Sequence, residues 1–163
     1  MEPVLLIKTE FIKNNNITFD ESLSWGEDML FFSEVALKAK AFSACKKFLT
    51  QYNMYNSDSL TESFCYLSKI ENDLKWLNKL ENLIGTIVDD LSMADSFYKL
   101  VFGYRRPGSV IYNLLHASEK LNKIELKSEI NKNKNYINDI AMVNGLRSLK
   151  MFIIKYYIIA KSM

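Results

Sequence analysis

The sequence predicts a mainly α-helical protein with a small β remnant near its N-terminal end (α+β), and three observations carry that prediction. Apolar residues from Leu60 to Ile84 recur by threes and fours, the period of one helical face. Two Ser-x-x-Glu sequences, Ser24 to Glu27 and Ser59 to Glu62, have the form of a capping box at a helix start. Between them Lys46 to Tyr55 alternates loosely, with Phe48, Thr50, Tyr52 and Met54 on one side, as an edge strand does.

Each element follows in turn. Val4 to Ile7 is a short apolar run that reads as a strand. Thr9 to Asn14 makes one or two helical turns, which Asn14, Asn15 and Asn16 then stop. Ile17, Phe19 and Leu23 anchor an irregular stretch. The box at Ser24 opens a helix to about Lys40, with Phe32, Val35, Ala36 and Ala39 as its buried stripe. Asp28 sits where an apolar partner for Leu23 would complete a hydrophobic staple, so local packing does not account for it. The box at Ser59 opens the long helix, with Leu60, Phe64, Leu67, Ile70, Leu74, Leu77, Leu80 and Ile84 on one face.

Asp90 to about Phe102 is another helix, with Leu91, Ala94, Phe97, Tyr98 and Val101 inward. Gly103 to Gly108, with two glycines and Pro107, is expected to break it. Ser109 then caps a helix carrying Ile111, Leu114, Leu115 and Leu121. Asn131 to Asn138 is polar and reads as a loop or a frayed helix start. The last helix, about Asp139 to Ala160, is expected to bury Ile140, Val143, Leu146, Leu149, Ile153 and Tyr156. Residues 59–163 therefore form a helical bundle, following an N-terminal segment of residues 1–58.

Totals bound the function classes. At 163 residues, 48% apolar and 25% charged, the chain is long enough to bury a core as one ordinary globular unit. A net charge of +2 lacks the strong basic bias of a nucleic-acid binder. Cys45 and Cys65 have no metal-ligand spacing, and His116, the single histidine, has no second ligand in register. No metal site is expected, and reduced thiols in the cytoplasm are. No stretch reaches the roughly 18 apolar residues that a membrane-spanning helix requires.

An ordered set of residues then narrows the reading: Phe19-Asp20-Glu21, Gly26-Glu27-Asp28 with Phe31 after it, Tyr52 and Tyr55, and Ser59-Leu60-Thr61. Over about residues 3–61, a little over a third of the chain, this resembles the acceptor-side end of a family 2 glycosyltransferase, an inverting enzyme of the GT-A fold. The resemblance implies that Asp28 is the base taking the proton from the acceptor hydroxyl, that Glu27 orients it, and that Trp25 and Gly26 wall the acceptor sugar. Acidic residues also favour the first turn of any helix, which is the plain alternative for both. Tyr52 and Ser59 stand where the family holds the donor diphosphate, although Ser59 serves equally as a helix cap, and no Arg or His lies between Tyr52 and Ser59. Arg105 and Arg106, beside Tyr104, are further candidates for a diphosphate or an anionic headgroup, or else two solvated charges.

The nucleotide-binding half that the resemblance implies, with its Asp-x-Asp for a divalent magnesium or manganese ion, is not in this sequence. The chain reads as the C-terminal portion of a transferase that moves a sugar from a nucleotide-sugar donor to a hydroxyl of a polysaccharide or lipid-linked glycan. It is expected to bind no cofactor and to be inactive alone, with a separate nucleotide-binding half as partner. A severed domain leaves apolar surface bare, so a homo-oligomer is a further expectation. The last helix carries Arg147, Lys150, Lys155 and Lys161 and no acid, and suits either burial in the bundle or the inner face of a membrane. The alternative function is a non-catalytic helical module for protein interaction or membrane-surface docking.

Overall fold

Every regular element among the described residues is helical. The computed structural model describes residues 6–41, 43, 65–88, 91–141, 143 and 145–163. In order these are α1 (Thr9–Asn14), α2 (Glu27–Lys38), α3 (Tyr66–Ile87), α4 (Leu91–Leu100), a π-helical turn (Val101–Arg105), α5 (Arg106–Ala117), α6 (Lys123–Lys132), α7 (Lys134–Asn138) and α8 (Gly145–Lys161). The mainly α part of the expectation holds. Of the two expected strands, Lys46 to Tyr55 lies outside the described residues, and Leu6 and Ile7, the described end of the first, are in no strand.

Helix α3 organises the rest, as its periodicity requires. Ile70 belongs to one buried cluster, with Val110, Ile111 and Leu114 of α5, Leu126 of α6, Ile137 of α7, and Met151 and Ile158 of α8. Further along, Trp76, Leu77, Leu80 and Ile84 belong to a second, with Leu23, Val101 and Phe102. Burying side chains of this size stabilises by about 1.5–3 kcal/mol each, so a helix that feeds both clusters couples the two ends of the protein. The cap of α3 is the Cys65 thiol, whose sulfur accepts the Ser68 amide at 3.4 Å. Hydrogen bonds from the Ser68 side chain and then its backbone hold that thiol below its ordinary pKa. The box expected at Ser59 lies outside the described residues.

Four local expectations are corrected. Helix α2 is not capped by Ser24: its N-cap is Gly26, at a left-handed φ of 81° with no side-chain cap. Asp28 takes over part of that task, its Oδ1 accepting the Met29 amide at 2.7 Å. Val35 is buried and Leu30 and Leu37 pack on the second cluster, while Phe32 and Ala36 turn outward. The anchor at Leu23 and the turn at Gly26 set this rotation.

Second, Gly103 to Gly108 does not break the longest helical run among the described residues. Residues 91–117 continue through the π-helical turn, in which the Arg106 amide reaches the Val101 carbonyl. Pro107 has no amide to offer the Gly103 carbonyl four residues back. That carbonyl instead accepts the Ala141 amide at 2.6 Å. The approach needs a glycine, because a Cβ on Gly103 would lie 2.6 Å from the Ala141 Cβ. Widening to a π-turn and borrowing a donor from another segment together absorb the proline. Ser109 consequently sits inside α5 and caps nothing; its hydroxyl donates to Asp73. Phe97, expected inward, is exposed on α4.

Third, Asn131 to Asn138 is helical for most of its length, in α6 and α7. Helix α6 opens on a capping box in which Asn122 accepts the Glu125 amide at 3.0 Å and Glu125 accepts the Asn122 amide at 2.9 Å. Fourth, α8 presents the opposite face to the one expected. Ser148, Met151 and Ile158 are buried, and Leu146, Leu149, Ile153 and Tyr156 are exposed. Gly108 and Ser148 are both small and buried, which lets Met151 pack closely between α5 and α8.

Candidate functional site

The segment carrying Trp25 to Asp28 is held against α3 from both sides of Leu23. Asp20 pairs with the Lys79 ammonium, Ser22 offers its carbonyl to Lys75, and the Ser22 hydroxyl lies 2.8 Å from Lys79. The hydrogen bond from Lys79, aided by that from Ser22, lowers the Asp20 pKa to about 2. Gly26 then closes over the indole of Trp76, where an added Cβ would meet three ring atoms within 2.9 Å. Trp76 is fixed in turn by its Nε1 donating to Asp73 at 3.1 Å.

This clamp has a pH consequence whose sign follows from the lowered pKa. Asp20 favours the folded state while ionised, so its contribution is full above its ordinary value of 3.8 and is lost as pH falls through about 2. Acid is therefore expected to release the segment from α3 in that window. The released state should show as a rise in quenching of tryptophan fluorescence, and Asp20→Asn should shift or remove that step.

Asp28, the sequence's candidate base, is exposed at the head of α2. Trp25, which precedes the helix, and Met29 and Phe32 on it are exposed too, Phe32 one turn after Asp28. Phe31 turns back to stack on Phe19, with ring centroids 4.2 Å apart. The arrangement is an exposed acid in the first turn of α2, with exposed apolar residues before and after it in the chain.

The two arginines separate. Arg105 is exposed, with its guanidinium carbon 5.5 Å from the centroid of the Trp76 ring, the same ring that Gly26 covers. The structure thus gathers Gly26 and Arg105 on one indole. Arg106 is buried, not solvated. Its Nη1 donates to Glu81 at 2.6 Å and its Nη2 lies 3.5 Å from Asp139. Phe102 and Tyr136 lie against the guanidinium, at 5.1 and 5.5 Å. Its charge is already offset by Glu81, which leaves little for a diphosphate. Arg106 does line an open cavity of about 470 Å³, with Asn135, Tyr136, Asn138 and Asp139, and none of the Trp25–Asp28 residues shares that lining.

Tyr52 and Ser59 lie outside the described residues. His116 stacks on Tyr66 with centroids 5.0 Å apart. Among the described residues no three His, Cys, Asp or Glu side chains converge as metal ligands. Sequence reasoning passed over Trp76, Asp73 and Glu81. Their signal is faint: each is a residue in α3 that departs from the simple leucine and isoleucine face yet is turned toward a neighbour. No protein-family model, no curated protein and no solved structure matches this chain.

Proposed function

We propose that this chain is the acceptor-side end and helical tail of an inverting glycosyltransferase. The parent reaction moves a sugar from a nucleotide-sugar donor to a hydroxyl of a polysaccharide or lipid-linked glycan. The observation that carries the reading is Asp28, a carboxylate open to solvent three residues after exposed Trp25, within the ordered Phe-Asp-Glu and Gly-Glu-Asp set. Asp28 removes the acceptor proton as that oxygen attacks the anomeric carbon, and Trp25 holds the apolar face of the acceptor ring. The donor and its divalent metal are held by a nucleotide-binding half outside these residues. Exposed Phe19, Met29 and Phe32 give that half an apolar surface to meet.

Two measurements test this. The chain alone, given nucleotide sugars and manganese, is expected to show no turnover, and clear hydrolysis would overturn the division of labour. In an enzyme that joins this segment to its nucleotide-binding half, Asp28→Asn is expected to lower kcat by about 10²–10⁴-fold with donor KM little changed. An unchanged kcat would remove Asp28 from the chemistry.

A further inference from the structure

Helix α8 presents to solvent the side of itself that its sequence makes most apolar. Leu146, Leu149, Ile153, Tyr156 and Tyr157 are all exposed, from 51% at Leu149 to 83% at Leu146. At 100° per residue they fall in one sector, with Ala160 between them and no polar residue inside it. The stripe runs the length of a 17-residue helix, about 26 Å. The opposite sector, with Ser148, Met151 and Ile158, is spent on the core. The stripe is therefore surplus to folding.

One edge of the stripe is charged, and with one sign only among the residues of α8. Arg147, Lys150 and Lys161 fall along one edge, Lys155 lies toward the body, and α8 holds no Asp or Glu. The lysine heads are held at the margin by contacts to uncharged groups, which leave their charge unbalanced. Lys150 lies 5.9 Å over the Tyr112 ring, Lys155 reaches Asn138 at 2.9 Å, and Lys161 reaches Ser118 at 3.2 Å. From this pairing of a bare apolar stripe with an all-cationic border, we infer that α8 docks in the plane of an anionic lipid surface. Leu146, Leu149 and Ile153 enter the acyl boundary. The Tyr156 and Tyr157 rings sit at headgroup depth, and Arg147, Lys150 and Lys161 meet lipid phosphates. A second copy is the poorer occupant, because pairing through this stripe adds four more cations and no carboxylate to balance them.

The test is co-sedimentation of the full chain with vesicles. Pelleting is expected with phosphatidylcholine mixed with phosphatidylglycerol, weakening as salt rises, and not with phosphatidylcholine alone. Ile153→Asp is expected to abolish it. Because Ile153 is 61% exposed, the variant should keep its helical circular dichroism. Arg147→Gln, which removes one border cation, should weaken binding about fivefold. Three results would overturn the inference: no pelleting with either vesicle, equal pelleting with both, or wild-type binding by folded Ile153→Asp. A dimer that Ile153→Asp dissolves, without vesicle binding, would overturn it in favour of a second copy.

Discussion

Glu81→Ala is expected to destabilise the protein by about 3 kcal/mol, and to do so mainly through what it leaves behind. Glu81 receives two side chains from the α4–α5 run: Arg106 Nη1 at 2.6 Å and the Tyr98 hydroxyl at 2.7 Å. Arg106 is 9% exposed, and its Nε already lacks an acceptor among the described residues. Removing Glu81 strands that cation against Phe102 and Tyr136, with only the more exposed Asp139 nearby. Breaking one side of a fully buried pair costs about 3–5 kcal/mol, and the partial exposure of the Glu81 side chain, 31%, places the cost at the lower end. For a chain of this length that is a fall of about 8 °C in Tm.

Companion variants separate the mechanism from simple loss of packing. Glu81→Gln keeps an acceptor for Tyr98 but turns an uncharged amide to Arg106, so it should cost nearly as much, about 2 kcal/mol or more. Arg106→Met removes the stranded charge and keeps its stem, so it should cost about 1 kcal/mol or less, and should largely rescue Glu81→Ala in the double variant. Tyr98 supplies a second readout. Burial, then the Glu81 carboxylate, raise its pKa, so in Glu81→Ala the phenol should ionise at lower pH in an ultraviolet titration. Urea denaturation gives the rest. A negligible loss in Glu81→Gln beside a large one in Glu81→Ala would mean that the ion pair does nothing for the fold.

That buried pair marks the limit of what one sequence discloses. The helical class was legible because α3 repeats its apolar residues at one period over six turns, with Ile70, Leu77, Leu80 and Ile84 all buried as the spacing demands. Helix α8 misled because it is apolar on both sides: periodicity names the greasier sector, whereas packing of Met151 on Gly108 of α5 goes with burial of the other. The run through Pro107 misled because its rescue comes from Ala141, far along the chain, and no local rule registers such a donor. At the candidate site, Trp25 to Asp28 could be named from the sequence, but the reason for Gly26 could not. Its partner Trp76 is fifty residues away.

Gly26→Ala is accordingly expected to cost about 3 kcal/mol, far more than an exposed glycine exchange, through two separable terms. The first is the backbone. At φ 81° a side chain is strained by about 1 kcal/mol or somewhat more. The second is the indole. The new Cβ would lie 2.4 Å from Cδ1, 2.6 Å from Cγ and 2.9 Å from Nε1 of Trp76. Cγ is the root of the ring and Nε1 is held by Asp73, so the indole cannot swing aside, and forcing the fit costs about 2 kcal/mol. Replacing Trp76 by leucine removes the obstacle, so in that background Gly26→Ala should cost only the backbone part, a coupling of about 2 kcal/mol by double-mutant cycle. The same background leaves Trp25 as the single tryptophan, since the chain has two. With Trp76 intact, acrylamide quenching of Gly26→Ala compared with the same protein carrying Trp25→Phe isolates the Trp25 signal and reports the loop. If Gly26 is what seats Trp25 and Asp28 on α3, the Gly26→Ala protein with Trp76 intact should show a lifted loop, and Asp28 would lose the fixed place that its proposed role requires. If stability is lost and the loop stays seated, the glycine serves the core alone, and the geometry offered to an acceptor must come from Leu23 and the Asp20–Lys79 clamp.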